Sequence, residues 1–132
     1  MTDQRTILII DDSEDEILLT QRVLSRISPG VRVESALSGE EALARLCSCK
    51  TLPCLTLLDL KMAGISGIET LRRIRADEQL KNLPVAIVTN SNLESDRDEA
   101  IDAGADAYIH KAYDLDQFSN DMKALLDMLR GD

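Results

Sequence analysis

Four short apolar runs in this chain stop abruptly at residues able to do chemistry. Ile7-Leu8-Ile9-Ile10 leads into Asp11-Asp12, and Leu55-Thr56-Leu57-Leu58 into Asp59. Val85-Ala86-Ile87-Val88 leads into Thr89-Asn90-Ser91, and Ala107-Tyr108-Ile109 into His110-Lys111. Three carboxylates brought together repel one another, and unpaired, at least one should hold a proton near neutral pH. A divalent cation removes that conflict, and an all-oxygen donor set suits Mg²⁺ or Mn²⁺ better than zinc. Mg²⁺ keeps waters and takes one or two carboxylates with a substrate phosphate, so a phosphate is expected beside it. Lys111 supplies a point positive charge for such a group, and the Thr89 hydroxyl a hydrogen bond. An aspartate can itself be the nucleophile, forming an aspartyl phosphate. Each residue alone has a plainer use: Asp12 or Ser13 as a helix cap, Asp59 as a loop acid, Thr89 as a strand residue, Lys111 as a solvated charge. Their combination carries the reading.

The elements that must position these residues are visible as alternating patterns. Five apolar runs, the four above and Val31-Arg32-Val33, read as strands. The runs at Ile7, Leu55 and Val85 are almost continuously apolar, as strands buried on both faces of a parallel sheet are. Those at Val31 and Ala107 are weaker and suit positions nearer an edge. Helical patterns fill the gaps. Ser13 with Glu16 reads as a capping box before Ile17, Thr20, Leu24 and Ile27, and Pro29-Gly30 ends that helix. Ser38 with Glu41 opens a second helix carrying Ala42, Leu43 and Leu46. A third is expected over about Ile68 to Ala76, with Leu71 and Ile74 inward. A fourth, weakly apolar, spans roughly Ser95 to Ala103, with Gly104 as its C-terminal cap. The last carries Leu115, Phe118, Met122, Leu125 and Leu129 at helical spacing. Strict alternation means an α/β fold with a parallel sheet. The leading architecture is a doubly wound, flavodoxin-like (βα)5 sheet of order 2-1-3-4-5 with helices on both faces. Its ligand crevice opens at the carboxyl ends of strands 1 and 3.

Composition limits the functional classes. The 132 residues suit one domain and can bury a sizeable core, with 44% apolar residues and only 2% aromatic. A formal charge of -9 argues against nucleic acid, which is bound through clustered Lys and Arg. No apolar run approaches a membrane span and Met1 to Arg5 is not a signal peptide, so a cytoplasmic protein is expected. Cys47, Cys49 and Cys54 are an odd number in one short stretch, and the only histidine, His110, is distant. Free thiols fit better than a disulfide framework or a zinc site.

At the strand ends the sequence resembles the receiver domains of two-component response regulators. The matching stretches are ILIIDDSEDE, LLDLKMAGISG, PVAIVTNS and AGADAYIHKAYDLDQF, in order and at fitting spacing across nearly the whole chain. The resemblance is greatest to the stand-alone regulators of phytochrome-type histidine kinases. It implies Asp59 as phosphoacceptor and Asp12 in direct contact with Mg²⁺. It implies Asp11 acting largely through water and the Lys61 backbone carbonyl completing the protein's share. Lys111 would pair with the phosphoryl group and Thr89 would swing toward it. Tyr108 matches the aromatic that changes rotamer on activation, and Gly67 the glycine that closes the loop after the phosphoacceptor. By the same resemblance, Lys61 and Ser91 occupy positions whose side chains, in the family, tune hydrolysis of the phosphoryl group. The partners implied are a histidine kinase or histidine phosphotransfer protein upstream, and a target protein or a homodimer downstream. One receiver domain over residues 1–132 with no output domain is expected, acting as a phosphoacceptor rather than as an enzyme.

Two positions depart from the family pattern: Ala63 and Ala112 stand where proline is usual. A cis bond before alanine costs about 2.5–4 kcal/mol, far more than before proline. Either a trans Lys111–Ala112 bond with a shifted lysine, or a strained cis bond, is expected. The rival reading is a phosphorylation-independent interaction module that keeps the receiver fold. The intact Asp11, Asp12, Asp59, Thr89 and Lys111 count against it. A flavodoxin-like small-molecule enzyme fits less well, because Asp11-Asp12 stands where a Gly-rich phosphate loop would be.

Overall fold

The computed structural model describes residues 5–111 and 114–129; the bond between Lys111 and Ala112 lies outside them. Its strands are β1 (Thr6–Ile10), β2 (Arg32–Ala36), β3 (Leu55–Leu58), β4 (Val85–Thr89) and β5 (Ala107–His110). They alternate with α1 (Glu14–Ile27), α2 (Gly39–Cys47), α3 (Gly67–Ala76), α4 (Glu94–Asp102) and α5 (Leu115–Leu129). All pairings are parallel and the order is β2-β1-β3-β4-β5, as expected from the sequence. The continuously apolar runs are the three central strands, and the two weaker runs are the edges.

Period-two alternation divides the core between the two faces of the sheet. Leu8, Ile10, Leu58, Val85 and Ile87 pack with Ala42 and Leu46 of α2, Leu71 and Ile74 of α3, and Ala100 of α4. Ile7, Ile9, Leu55, Leu57, Ala86, Val88 and Ile109 pack on the other face with Ile17 and Leu24 of α1 and Phe118 and Met122 of α5. Among the described residues Phe118 is the one fully buried aromatic, so branched aliphatic side chains supply most of the packing.

Helix starts follow the serine-capping chemistry. Ser13 and Ser38 accept the backbone N–H groups of Glu16 and Glu41. Ser66 does the same for Glu69 at the start of α3, a cap the sequence carried in the same Ser-x-x-Glu form. α4 has no side-chain cap and buries only Ala100. Its end is a Schellman turn at Gly104 (φ 107°), where Gly104 N–H reaches Ile101 and Ala105 N–H reaches Ala100. Leu115 and Leu129, which share the helical spacing of Phe118, Met122 and Leu125, are exposed at the two ends of α5. β2 also runs further than the apolar run, through Glu34, Ser35 and Ala36, because pairing with β1 continues to Ile10. The three cysteines are free thiols.

One polar knot ties α3 to the loops at the amino ends of β4 and β5. Arg75 donates to the carbonyls of Gly104 (2.9 Å), Leu83 (2.7 Å) and Lys81 (3.1 Å), and to Asp106 Oδ2 (3.0 Å). Asp106 Oδ2 also accepts Val85 N–H at 2.8 Å. Arg75→Ala would strand carbonyls that the fold has partly withdrawn from water. It should lower stability by about 2 kcal/mol, read as a reduced urea midpoint with an unchanged slope.

Candidate functional site

The site is built from residues that stand just beyond the strand ends and still belong to the sheet ladder. Asp11 N–H bonds to the Ala36 carbonyl (3.1 Å), Asp59 N–H to Ile10 (3.0 Å), and Lys111 N–H to Thr89 (2.7 Å). β1 and β3 are neighbours, so their ends bring the Asp11, Asp12 and Asp59 carboxylates together, with ligand-capable oxygens all within 4.8 Å of one another. Among the described residues this is the only such gathering of metal-donor side chains; the cysteines form none.

Lys111 reaches into the cluster from β5. Its Nζ lies 2.8 Å from Asp11 Oδ2, and both side chains are buried. The other Asp11 oxygen accepts the N–H of Ser13 at 3.0 Å, so both oxygens are engaged and the carboxylate is held in orientation. Asp12 is exposed, and its Oδ2 accepts the N–H of Ala63 at 3.0 Å. A proline at position 63 has no N–H to give, so the departure from the family pattern adds a backbone donor to this carboxylate. Asp59 is half-buried and its Oδ1 accepts the N–H of Leu60 at 2.9 Å. Lys61 is exposed on the same loop.

Gly67 makes the loop possible. Its N–H bonds to the Leu60 carbonyl at 2.8 Å, and a Cβ there would sit 2.1 Å from the Asp59 carbonyl oxygen. Only glycine lets α3 begin so close to the backbone of Asp59. Thr89 is buried on the opposite rim, with Oγ1 accepting Ser91 N–H at 3.2 Å. Ser91 Oγ in turn donates to Asp96 on α4 and accepts Leu93 N–H. Tyr108 is half-buried, with the Arg97 guanidinium 5.7 Å from its ring centroid. Its hydroxyl is buried beside Ser91 and Asp96 without a well-formed hydrogen bond among the described residues. Burial pushes that hydroxyl up, with Asp96 adding to the effect and Ser91 and Arg97 opposing it.

Burial is also the largest influence on Asp59, whose carboxyl is pushed up to about 6. Lys111 and the Leu60 N–H pull it down, while Asp11 and Asp12 push it up. The repulsion expected from the sequence is present. Lys111 limits it, so Asp59 is mostly ionised at neutral pH.

Sequence reasoning did not single out Glu16 or Ala63 as site residues. Glu16 was read as a capping residue, and its side chain instead turns toward Asn90 and Lys111. Contacts across 74 residues of chain leave no local pattern to read.

The profile of the response regulator receiver domain matches residues 7–123. The chain is 33% identical over 120 residues to the phosphate regulon transcriptional regulatory protein PhoB of Rhizobium meliloti, covering 91% of this chain and 51% of that protein. Its fold superposes on the phosphorylated cyanobacterial phytochrome response regulator RcpA with a TM-score of 0.84 at 29% identity, covering 93% and 91% of the two chains. The Mn²⁺-bound response regulator Rcp1 matches with a TM-score of 0.80 at 26% identity, over 92% and 91%. The chain belongs to the response-regulator receiver family. It spans about half the length of the first curated relatives it matches.

Asp59 should behave as a carboxylate whose ionisation opposes folding. Its folded value, about 6, lies above the ordinary 3.8, so the folded protein keeps the proton longer than the unfolded chain does. The contribution of Asp59 to stability is therefore most favourable below about pH 4, falls as the folded protein passes toward about pH 6, and stays lower above. Asp59→Asn should stabilise the metal-free protein by about 2 kcal/mol at neutral pH, after allowance for solvent screening. The gain should vanish near pH 4. Urea unfolding of both proteins at the two pH values checks this.

Proposed function

We propose that this domain accepts a phosphoryl group on Asp59, with Mg²⁺ or Mn²⁺ bound beside it, from a histidine kinase or a histidine phosphotransfer protein. The observation that carries the reading is the gathering of three carboxylates within 4.8 Å beside the buried Lys111 ammonium. Their all-oxygen donor set fits a hard divalent cation. Asp12 and Asp59 would hold it directly, with Asp11 acting through water and the Lys61 carbonyl adding a backbone ligand. When bound, the cation supplies charge neutralisation for the carboxylates and for the phosphoryl oxygens.

The chain's own residues do the rest. An Asp59 oxygen forms the new bond to phosphorus as the bond from phosphorus to the donor imidazole nitrogen breaks, and that nitrogen leaves with the electron pair. Asp59 is held for in-line attack by its ladder bond and by the Leu60 N–H. Lys111, poised on Asp11, pairs with the phosphoryl oxygens and offsets the charge developing on them. Thr89 then bonds to the phosphoryl group, Tyr108 packs inward, and the surface of α4, β5 and α5 rearranges. The product is a changed protein surface and not a released metabolite. The domain assists its own phosphorylation and slow hydrolysis, without turnover of an external substrate. The likeness to phytochrome response regulators supports a phytochrome-like kinase as donor. The output is docking to a target protein or formation of a homodimer. Among the described residues no helix is long and apolar enough to cross a membrane. A cytoplasmic site of action fits a histidine-kinase partner.

Incubation with acetyl phosphate and Mg²⁺ should add one phosphoryl group to the intact mass. The adduct should be absent without Mg²⁺ and absent in Asp59→Asn. Unchanged labelling of Asp59→Asn would reject the assignment. No adduct in the wild-type protein, with no binding of beryllofluoride either, would favour a phosphorylation-independent interaction module.

A further inference from the structure

Glu16 stands in the first turn of α1 and has none of the roles described above. Its Oε1 accepts a hydrogen bond from Asn90 Nδ2 at 3.0 Å and lies 3.8 Å from Lys111 Nζ. One carboxylate oxygen thus joins α1, the loop after β4, and the residue that follows β5. The loop is also held from β5 itself, since the Asn90 carbonyl meets the His110 ring nitrogen at 3.2 Å. Glu16 is well placed for this by its own helix start. Ser13 Oγ accepts its backbone N–H, and the Ser13 N–H is bound in turn by Asp11 Oδ1.

We infer that Glu16 is a positioning residue that holds the unphosphorylated arrangement through two bonds that phosphorylation of Asp59 has to weaken. This rests on the receiver function proposed above. The first bond is ionic. Lys111 divides its charge between Asp11 and Glu16, and a phosphoryl group on Asp59 must draw the ammonium toward itself. The second is a tether. Thr89 Oγ1 is occupied by Ser91 N–H, so Thr89 turns toward Asp59 only as that turn loosens. Asn90 lies in the middle of the turn and is tied to Glu16. A phosphoryl group shifts the two states only by its differential interaction with them. Any bond present in the unphosphorylated state alone subtracts from that shift. Glu16 therefore sets how firmly the phosphorylated state is held.

Two variants separate the two bonds. Glu16→Gln removes the charge and keeps an acceptor for Asn90, whereas Asn90→Ala removes the tether and keeps the charge. Calorimetric titration with beryllofluoride at saturating Mg²⁺ should show each variant binding about threefold more tightly than wild type. The gain in Glu16→Gln should shrink at high ionic strength, and the gain in Asn90→Ala should not. In the metal-free protein, the Ser91 and Leu93 amides should exchange with solvent faster in Asn90→Ala than in wild type. A purely structural role would instead weaken binding together with thermal stability. Unchanged or weaker binding in both variants, alongside normal binding by wild type, would overturn the role of Glu16. Failure of wild type itself to bind would overturn the receiver function and this inference with it.

Discussion

Asp11, Asp59 and Lys111 each stand one residue past the strand that delivers them, and the backbone N–H of each makes one further sheet hydrogen bond, to Ala36, Ile10 and Thr89. The site depends on those three bonds. They carry the rigidity of a doubly buried parallel sheet out to its carboxyl edge, where side chains are free to turn toward one another. Neighbouring β1 and β3 set the spacing of the carboxylates, and β4 and β5 set the reach of Thr89 and Lys111. Groups on loops alone would not hold three like charges this close without drifting apart.

The arrangement opposes the stability of the fold. Burial disfavours the ionised Asp59, and two further carboxylates add to the penalty. The buried Lys111–Asp11 pair offsets part of this, although desolvation of the ammonium consumes much of its Coulombic gain. What the pair provides is preorganisation: a cation already in place where negative charge is to arrive. Stability is recovered far away, in the two aliphatic clusters on either face of the sheet and in the Arg75–Asp106 knot at its opposite edge.

Electrostatic and conformational roles meet in the loop after β4. Thr89, Asn90 and Ser91 are consecutive, yet each bonds in a different direction: Thr89 within the turn, Asn90 to α1, and Ser91 to Asp96 on α4. A movement of Thr89 therefore reaches two helices through covalent neighbours. Arg97 follows Asp96 and lies over the ring of Tyr108, so α4 is connected to β5 by the same segment. α4 buries little of its own surface and has no side-chain cap, which leaves it the helix least anchored against such movement.

The chain by itself determined most of the architecture. Continuous apolar runs mark β1, β3 and β4 because a central parallel strand is buried on both faces, and the Ser-x-x-Glu starts mark helices because the cap is local chemistry. Asp11, Asp12, Asp59, Thr89 and Lys111 were legible because each follows such a run, and a parallel sheet gathers the carboxyl ends of its strands on one edge. Other features depended on distance in space. Leu115 and Leu129 keep the helical period of α5 but are exposed at its two ends, and periodicity carries no information on where along a helix burial stops. Ala63 as a donor to Asp12, and Glu16 as a partner of Asn90 and Lys111, pair residues 51, 74 and 95 positions apart. Local spacing specifies which way a side chain faces. Which partner it meets is decided only when the sheet order has brought distant strand ends together.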